Sequence, residues 1–331
     1  MGECERLETM KYRALGRTGL KVSEIGFGAW GIGKGLWIGG SDDESLKALS
    51  RSIDLGLNFI DTALGYGDGH SEQLVGQLVR QRSEAVYVAT KIPPRNEVWP
   101  ARPGTPVAET FPTDHVIKCT EKSLKNPGLE TIDVQQFHVW SDEWVGKGDW
   151  LGAIQKLKDQ GKIRFFGVSI NDYQPENAIK LLESGALDTV QVIYNIFEQS
   201  PEEKLFPACE RHDVGVIVRV ALDEGGLTGK ITPDVTFAPD DFRNNYFRGD
   251  RKQQVYERVT RIASDLGITL DDMPETALRY TLSHPAVSTV IPGMRTVRNV
   301  ERNCQIGDGA GLPEKTLERL KAHRWDRNFY Q

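Results

Sequence analysis

Four residues whose types could do chemistry together stand at the ends of apolar runs or just beyond one. They are Asp61 in FIDTA, Lys91 in VYVATKI, His138 in TIDVQQFHVW, and Tyr66 on the glycine-rich stretch GYGDG that follows Asp61. A tyrosine phenol has a pKa of about 10, so it exchanges protons poorly near neutrality unless its surroundings adjust it. A lysine ammonium beside it would lower that pKa, and an aspartate would keep the lysine charged and in place. A histidine would then orient a substrate oxygen or share the proton. This is acid–base equipment for interconverting carbonyls and alcohols, and it demands no metal. Singly, each residue has a plainer reading: an aspartate at a strand end caps a loop, most lysines are solvated, and a lone histidine is more often a satisfied core group. Their joint appearance is harder to assign to packing, because each costs free energy to bury without a partner.

For these residues to meet, distant segments must converge. Eight short apolar runs punctuate the chain: SEIGFG, FIDTA, VYVATKI, TIDVQQFHVW, FFGVSI, TVQVIYN, VGVIVRVAL and VSTVIPG. Between them lie stretches of helical period, among them ESLKALSRSIDLG, SEQLVGQLVRQR, DHVIKCTEKSLK, LGAIQKLKDQGK, PENAIKLLESG and EEKLFPACERHD, several ending in glycine as helix C-termini do. Strict alternation implies parallel strands joined by helical crossovers, and eight of them imply an α/β fold of the closed (β/α)8 TIM-barrel type. In such a barrel the active site lies at the C-terminal strand ends, which is where Asp61, Lys91 and His138 fall. MKYRALGRTGLKVSEI reads as an N-terminal β-hairpin turning at Arg17 to Gly19, placed to close the other end. KQQVYERVTRIASDLG and PEKTLERLKAHR read as extra C-terminal helices. Residues 222–250 carry Gly and Pro without periodicity, and a loop of that length in a compact domain is functional or mobile. The Pro-rich IPPRNEVWPARPGTP reads as a rim loop. One domain is expected over residues 11–331, after a flexible extension over 1–10.

The 331 residues are 39% hydrophobic and 27% charged, as in an ordinary soluble globular protein. A net charge of -6 argues against general nucleic-acid binding, which needs a basic face. Cys4, Cys119, Cys209 and Cys304 stand singly, which suggests reduced thiols in a cytoplasmic setting rather than a zinc site or disulfide framework. Neither a signal-peptide core nor a membrane-spanning apolar run is evident. The partner implied is a small-molecule carbonyl, with no nucleic acid and no membrane, and nothing in the pattern specifies an oligomeric state. GFGAWG, Gly26 to Gly31, is a literal G-x-G-x-x-G, but a Rossmann fingerprint needs a helix to open on its third glycine. The continuation GIGKGLWIGGSDD is too rich in glycine for that, so these glycines are assigned to the open mouth of the first strand.

In order along the chain, LGRTGLKVSEIGFG, FIDTALGYGDGHSE, VATKI and QFHVW resemble the signature segments of the aldo-keto reductase family. The likeness runs from about Lys11 to the C-terminal helices. It implies NADP(H) extended across the strand ends and reversible NADPH-dependent reduction of aldehydes or ketones. Tyr66 is then the general acid, Lys91 and Asp61 tune it, and His138 directs the carbonyl. The resemblance also implies cofactor contacts from Gly28, Trp30, Ser169, Gln191, Leu222 and Lys230. In FFGVSIND, Ile170 occupies the family's Asn position and Asn171 comes one residue later. VIPGMRTVRNVERN matches the segment that grips the adenosine 2′-phosphate, with Gly293, Asn299 and Asn303 as further contacts. Arg295 is its main phosphate candidate, since a guanidinium fork suits phosphate. Arg298 and Arg302 either assist or form a solvated helix face. Arg219 stands where many members carry an aromatic residue that stacks on the nicotinamide. It either stacks there, its charge disfavouring the oxidised ring, or turns outward to solvent or pyrophosphate. Trp30 and Trp140 are the substrate-pocket candidates. Barrels of this family also serve as cofactor-sensing subunits of membrane channels, so binding with little turnover is the alternative function.

Overall fold

Runs such as TVQVI at residues 189–193 are buried at every position, as a parallel sheet covered on both faces requires. The structure, a computed structural model, describes residues 10–331. A hairpin of β1 (Tyr12–Ala14) and β2 (Lys21–Ser23) precedes eight parallel strands. These are β3 (Phe27–Gly28), β4 (Phe59–Asp61), β5 (Tyr87–Ile92), β6 (Ile132–Phe137), β7 (Ile163–Ser169), β8 (Thr189–Ile193), β9 (Gly215–Arg219) and β10 (Val287–Val290). Each pairs with the next in sequence order. Parallel bridges Ile25–Val290 and Gly28–Gly293 join the first to the last and close the ring. The closure depends on Gly28, because a Cβ there would lie 2.4 Å from the Ile291 carbonyl oxygen.

The hairpin plugs the N-terminal end, where its Leu15, Leu20 and Val22 pack on Phe59, Ala89, Val134 and Ile217 inside the barrel. Met10 is buried too, so the expected extension gives way to ordered chain one residue early; the rest of that expectation lies outside the described residues. After Gly31 the chain forms only a single turn, Trp30–Ile32, and no long helix opens there as a Rossmann motif would need. The crossover helices lie where their period placed them, from Asp42–Asp54, capped by the Ser41 hydroxyl, to Leu205–His212. Ile179–Glu183 is shorter than the sequence implied, since the Asn177 side chain is committed to the Trp140 carbonyl and the Asp142 amide. Met273–Leu282, which the pattern did not single out, covers β10, with Pro274 in its first turn where the missing N–H costs nothing. Arg251–Leu266 and Glu314–Lys321 are the expected additions. Among the described residues, no helix is long and apolar enough to cross a membrane.

Residues 222–250 are folded across the C-terminal mouth of the barrel. The Phe242 amide donates to the Leu36 carbonyl at 2.7 Å, and the Arg243 guanidinium lies between the rings of Trp37 and Phe237, 4.7 and 4.5 Å from their centroids. This loop and the one after β3 thus meet over the strand ends.

Candidate active site

Parallel register puts Asp61 of β4 beside Ala89 of β5, so Lys91 projects from the same face one step nearer the mouth. Its Nζ donates to Asp61 Oδ2 at 2.5 Å, to the Thr62 carbonyl at 2.9 Å and to the Tyr66 hydroxyl at 3.3 Å, which uses all three ammonium protons. Lys91 is fully buried. The other oxygen of Asp61 accepts from the amides of Gln136 (3.1 Å) and Gln191 (2.8 Å). Gln136 escaped the sequence reading; its position in QQFHVW, two residues before His138, was the available signal.

Tyr66 returns over the barrel because Gly67 takes φ +66° and lets the loop pass against the segment after β3. A Cβ on Gly67 would meet the Gly33 carbonyl oxygen at 1.8 Å. Trp30 stacks on the Tyr66 ring at 6.2 Å and 29°. His138 sits edge-on to Tyr66, with centroids 5.7 Å apart, and edge-on to Trp99 at 4.8 Å. Among the described residues its buried Nδ1 has no hydrogen-bond partner.

Burial sets the protonation states. It pushes the Tyr66 phenol above its ordinary value, outweighing the opposing pull of the Lys91 ammonium. Lys91 pulls the phenol pKa down, as expected from the sequence, but burial, which the sequence reading left out, outweighs it and holds the phenol protonated. Burial works against the Lys91 charge, yet Asp61 and Tyr66 together raise its pKa overall. Burial, then the charges of Lys91 and Arg219, hold His138 well below the usual imidazole range, so it is neutral at pH 7.

A cavity of about 880 Å³ opens above these groups, within the range of small-molecule sites. Asp61, Tyr66 and His138 line it, while Lys91 lies beneath. Gly28, Trp30, Ser169, Gln191, Leu222 and Lys230 line it too, as do Gly293, Arg295, Asn299, Arg302 and Asn303. Arg295 Nη1 donates to the Ile38 carbonyl at 3.0 Å beneath the Trp37 ring, and Arg302 is held by the Asp271 carbonyl. Arg298 is exposed and apart from the cavity.

One candidate changes place, and three others have protein partners that the sequence did not show. Trp140 is fully buried among Phe137, Trp144 and Trp150, with its indole N–H on Asp142, and does not reach the cavity. Burying that large ring in the aromatic core is what its apolar neighbours favour. Trp99, on the Pro-rich rim loop, lines the cavity instead. Asn171 faces the cavity, but its amide is committed to both backbone groups of Ala101, at 3.2 and 3.1 Å, and so ties down the rim loop. Gln191 spends its amide nitrogen on Asp61, leaving its oxygen for other contacts. Arg219 neither turns out to solvent nor lies free. Its Nη2 donates to Asp172 Oδ1 at 2.7 Å and to the Ile170 carbonyl at 3.0 Å, and the Asp172 charge offsets the effect expected on an oxidised ring.

Fold and site together define a (β/α)8 barrel that carries a buried phenol–ammonium–carboxylate chain under a long cavity at its C-terminal mouth. The chain belongs to the aldo/keto reductase family, whose family model matches residues 24–324. It is 29% identical over 313 residues to the aldo-keto reductase YhdN of Bacillus subtilis, covering 90% of this chain and 88% of that one. It is also 29% identical to a probable voltage-gated potassium channel subunit beta of Arabidopsis thaliana, covering 90% and 92%. Among solved structures it resembles an aldo/keto reductase from Klebsiella pneumoniae in complex with NADP and acetate, at TM-score 0.66 and 25% identity, over 96% and 97% of the two chains. Carbonyl reduction is the general chemistry of this family.

Proposed function

We propose that the chain catalyses the reversible NADPH-dependent reduction of an aldehyde or ketone, with Tyr66 as general acid. The observation that carries this reading is the buried Asp61–Lys91–Tyr66 chain, with its phenol protonated, opening into a cavity beside a neutral histidine whose Nδ1 has no partner among the described residues.

The residues present fit a phosphorylated dinucleotide. Arg243 and Arg295 meet at the Trp37 ring, Arg302 and buried Asn303 line the same cavity, and the helix Val297–Cys304 opens just after Arg295. Guanidinium groups suit phosphate, and a helix N-terminus favours negative charge. Ser169 and the free amide oxygen of Gln191 would face the nicotinamide end. Bound there, NADPH supplies the hydride. His138, as a neutral imidazole, offers an N–H to the substrate oxygen without adding charge. Tyr66 donates its proton to that oxygen, and the Lys91 ammonium, fixed by Asp61, stabilises the phenolate left behind. Trp30 and Trp99 exclude water from the apolar side.

The test is steady-state oxidation of NADPH and NADH with a panel of aldehydes and ketones. Arg295→Ala should weaken NADPH binding by about ten- to a hundredfold and leave NADH nearly unaffected, as expected for one charged hydrogen-bonded contact. Equal losses for both cofactors would remove Arg295 from the 2′-phosphate. Reductive kcat/KM depends on the protonated phenol. Because burial raises the Tyr66 pKa, the alkaline fall in rate should lie above pH 10.0, and a fall centred between pH 7 and 9, roughly the range of an activated acid, would contradict the held phenol. The likeness to a channel subunit favours one second reading, a cofactor sensor, in which NADPH binds but no carbonyl in the panel is turned over.

A further inference from the structure

The strand order β10, β9, β8, β7 sets the route a dinucleotide takes across the barrel mouth. Ser169 ends β7, Gln191 lies in β8 and Arg295 follows β10, so a cofactor reaching from the first two to the third passes the turn after β9. Val220, Leu222, Gly225 and Lys230 of that turn line the cavity. Its backbone is strained. Val220, Asp223 and Glu224 take φ of 57°, 53° and 54°, in the left-handed region that non-glycine residues seldom enter. Such a shape persists only where the surroundings over-determine it.

The group that fixes it stands behind the cavity. Asp223 Oδ1 accepts from the Tyr246 hydroxyl at 2.9 Å and from Arg327 Nη2. A Cβ on Gly226 would lie 2.3 Å from Asp223 Oδ2, so glycine there leaves the carboxylate its room. The side chains of Arg327 and Asp223 are 6% and 0% exposed, and neither lines the cavity. Rings of Phe197, Trp325 and Phe329 surround the guanidinium at 5.0, 4.3 and 4.6 Å. Among the described residues its Nε and Nη1 have no hydrogen-bond partner, which leaves Asp223 as the one acceptor it meets. A buried ion pair contributes little stability beyond what apolar packing would give, so this one is better explained by the geometry it fixes. The segment that carries Arg327 is itself tied down. The Trp325 amide donates to the Phe197 carbonyl at 2.9 Å, and Arg258 of the helix Arg251–Leu266 lies over the Trp325 ring at 4.0 Å.

We propose that Arg327 is a positioning residue for the cofactor. Through Asp223 it holds the turn after β9 in the shape that NADP(H) lies against, and so sets how long the bound cofactor stays. This role rests on the placement of NADP(H) along that turn.

The experiment measures NADPH dissociation by stopped-flow fluorescence, with excess NADP as the chase. The double variant Arg327→Met, Asp223→Asn removes both charges together, so neither is stranded. Methionine suits the space among the three rings, and asparagine tolerates a positive φ and keeps an acceptor for Tyr246. Dissociation should become about tenfold faster while association changes less than about twofold, the loss of one well-made hydrogen bond read as residence time. Adenosine 2′-monophosphate, which reaches the Arg295 segment and lacks the nicotinamide half, should bind the variant within about twofold of wild type. Hydrogen exchange of the wild type needs no substitution. The amides of Gly225 and Leu227, bonded to the Leu222 carbonyl at 2.9 and 3.1 Å, should be protected before the cofactor binds. Unprotected amides there, a dissociation rate within about twofold of wild type in the folded double variant, or equal weakening of NADPH and the monophosphate would overturn the role of Arg327. If wild type bound no NADPH, the cofactor placement would fall and this role with it.

Discussion

Replacing Tyr66 by phenylalanine should lower the rate of carbonyl reduction by about 10²–10⁴-fold, the usual contribution of a positioned general acid, with NADPH affinity nearly intact. The ring would keep its stack on Trp30, and the loop geometry set by Gly67 does not involve the hydroxyl. Only the 3.3 Å contact to Lys91 is lost, and the ammonium retains Asp61 and the Thr62 carbonyl. Folding should therefore be almost unaffected, so a loss of activity reports on proton delivery. Single-turnover kinetics with a reactive aldehyde, beside NADPH titration by fluorescence, make the measurement. A variant as active as wild type would move the proton donor elsewhere, with His138 the next candidate.

Lys91→Met should cost both activity and stability. The lysine is fully buried and Asp61 nearly so, and removing one partner strands the other charge, which typically costs about 3–5 kcal/mol. The two glutamine amides on Asp61 Oδ1 would soften that penalty without cancelling the charge. The double variant Lys91→Met, Asp61→Asn should recover most of the stability, because no ion is then left unpaired, yet stay inactive, because no ammonium stabilises the phenolate. Denaturant unfolding of the single and double variants, with activity in parallel, separates the two effects. If Lys91→Met unfolded at the wild-type midpoint, the pair would not be the charged couple described here.

These two substitutions probe residues that are legible in the sequence. Asp61, Lys91, His138 and Tyr66 stand out because ionisable side chains at the ends of apolar strands are costly unless they serve one another. The eight strands are legible for a related reason: segments buried on both faces must be apolar throughout, and the helices between them must show a 3.6-residue period. Trp140 is misjudged from sequence because tryptophan is equally at home in a core and in a pocket, and only its packing among Phe137, Trp144 and Trp150 settles the matter. Gln136, Asp172 and Glu224 pass unnoticed there because isolated polar residues carry no periodic signal.

Sequence alone pointed to the barrel and to Asp61, Tyr66, Lys91 and His138 as a candidate set, since these rest on burial patterns and residue chemistry that act locally along the chain, whereas the basic segment near Arg295 stood out only through the family resemblance. The tertiary structure decided the sign of the Tyr66 shift, the pairing of Arg219 with Asp172 and the commitment of Asn171 to the rim loop. Each of these depends on which groups from distant strands share a low-dielectric space, where a few ångströms determine whether burial or a neighbouring charge prevails.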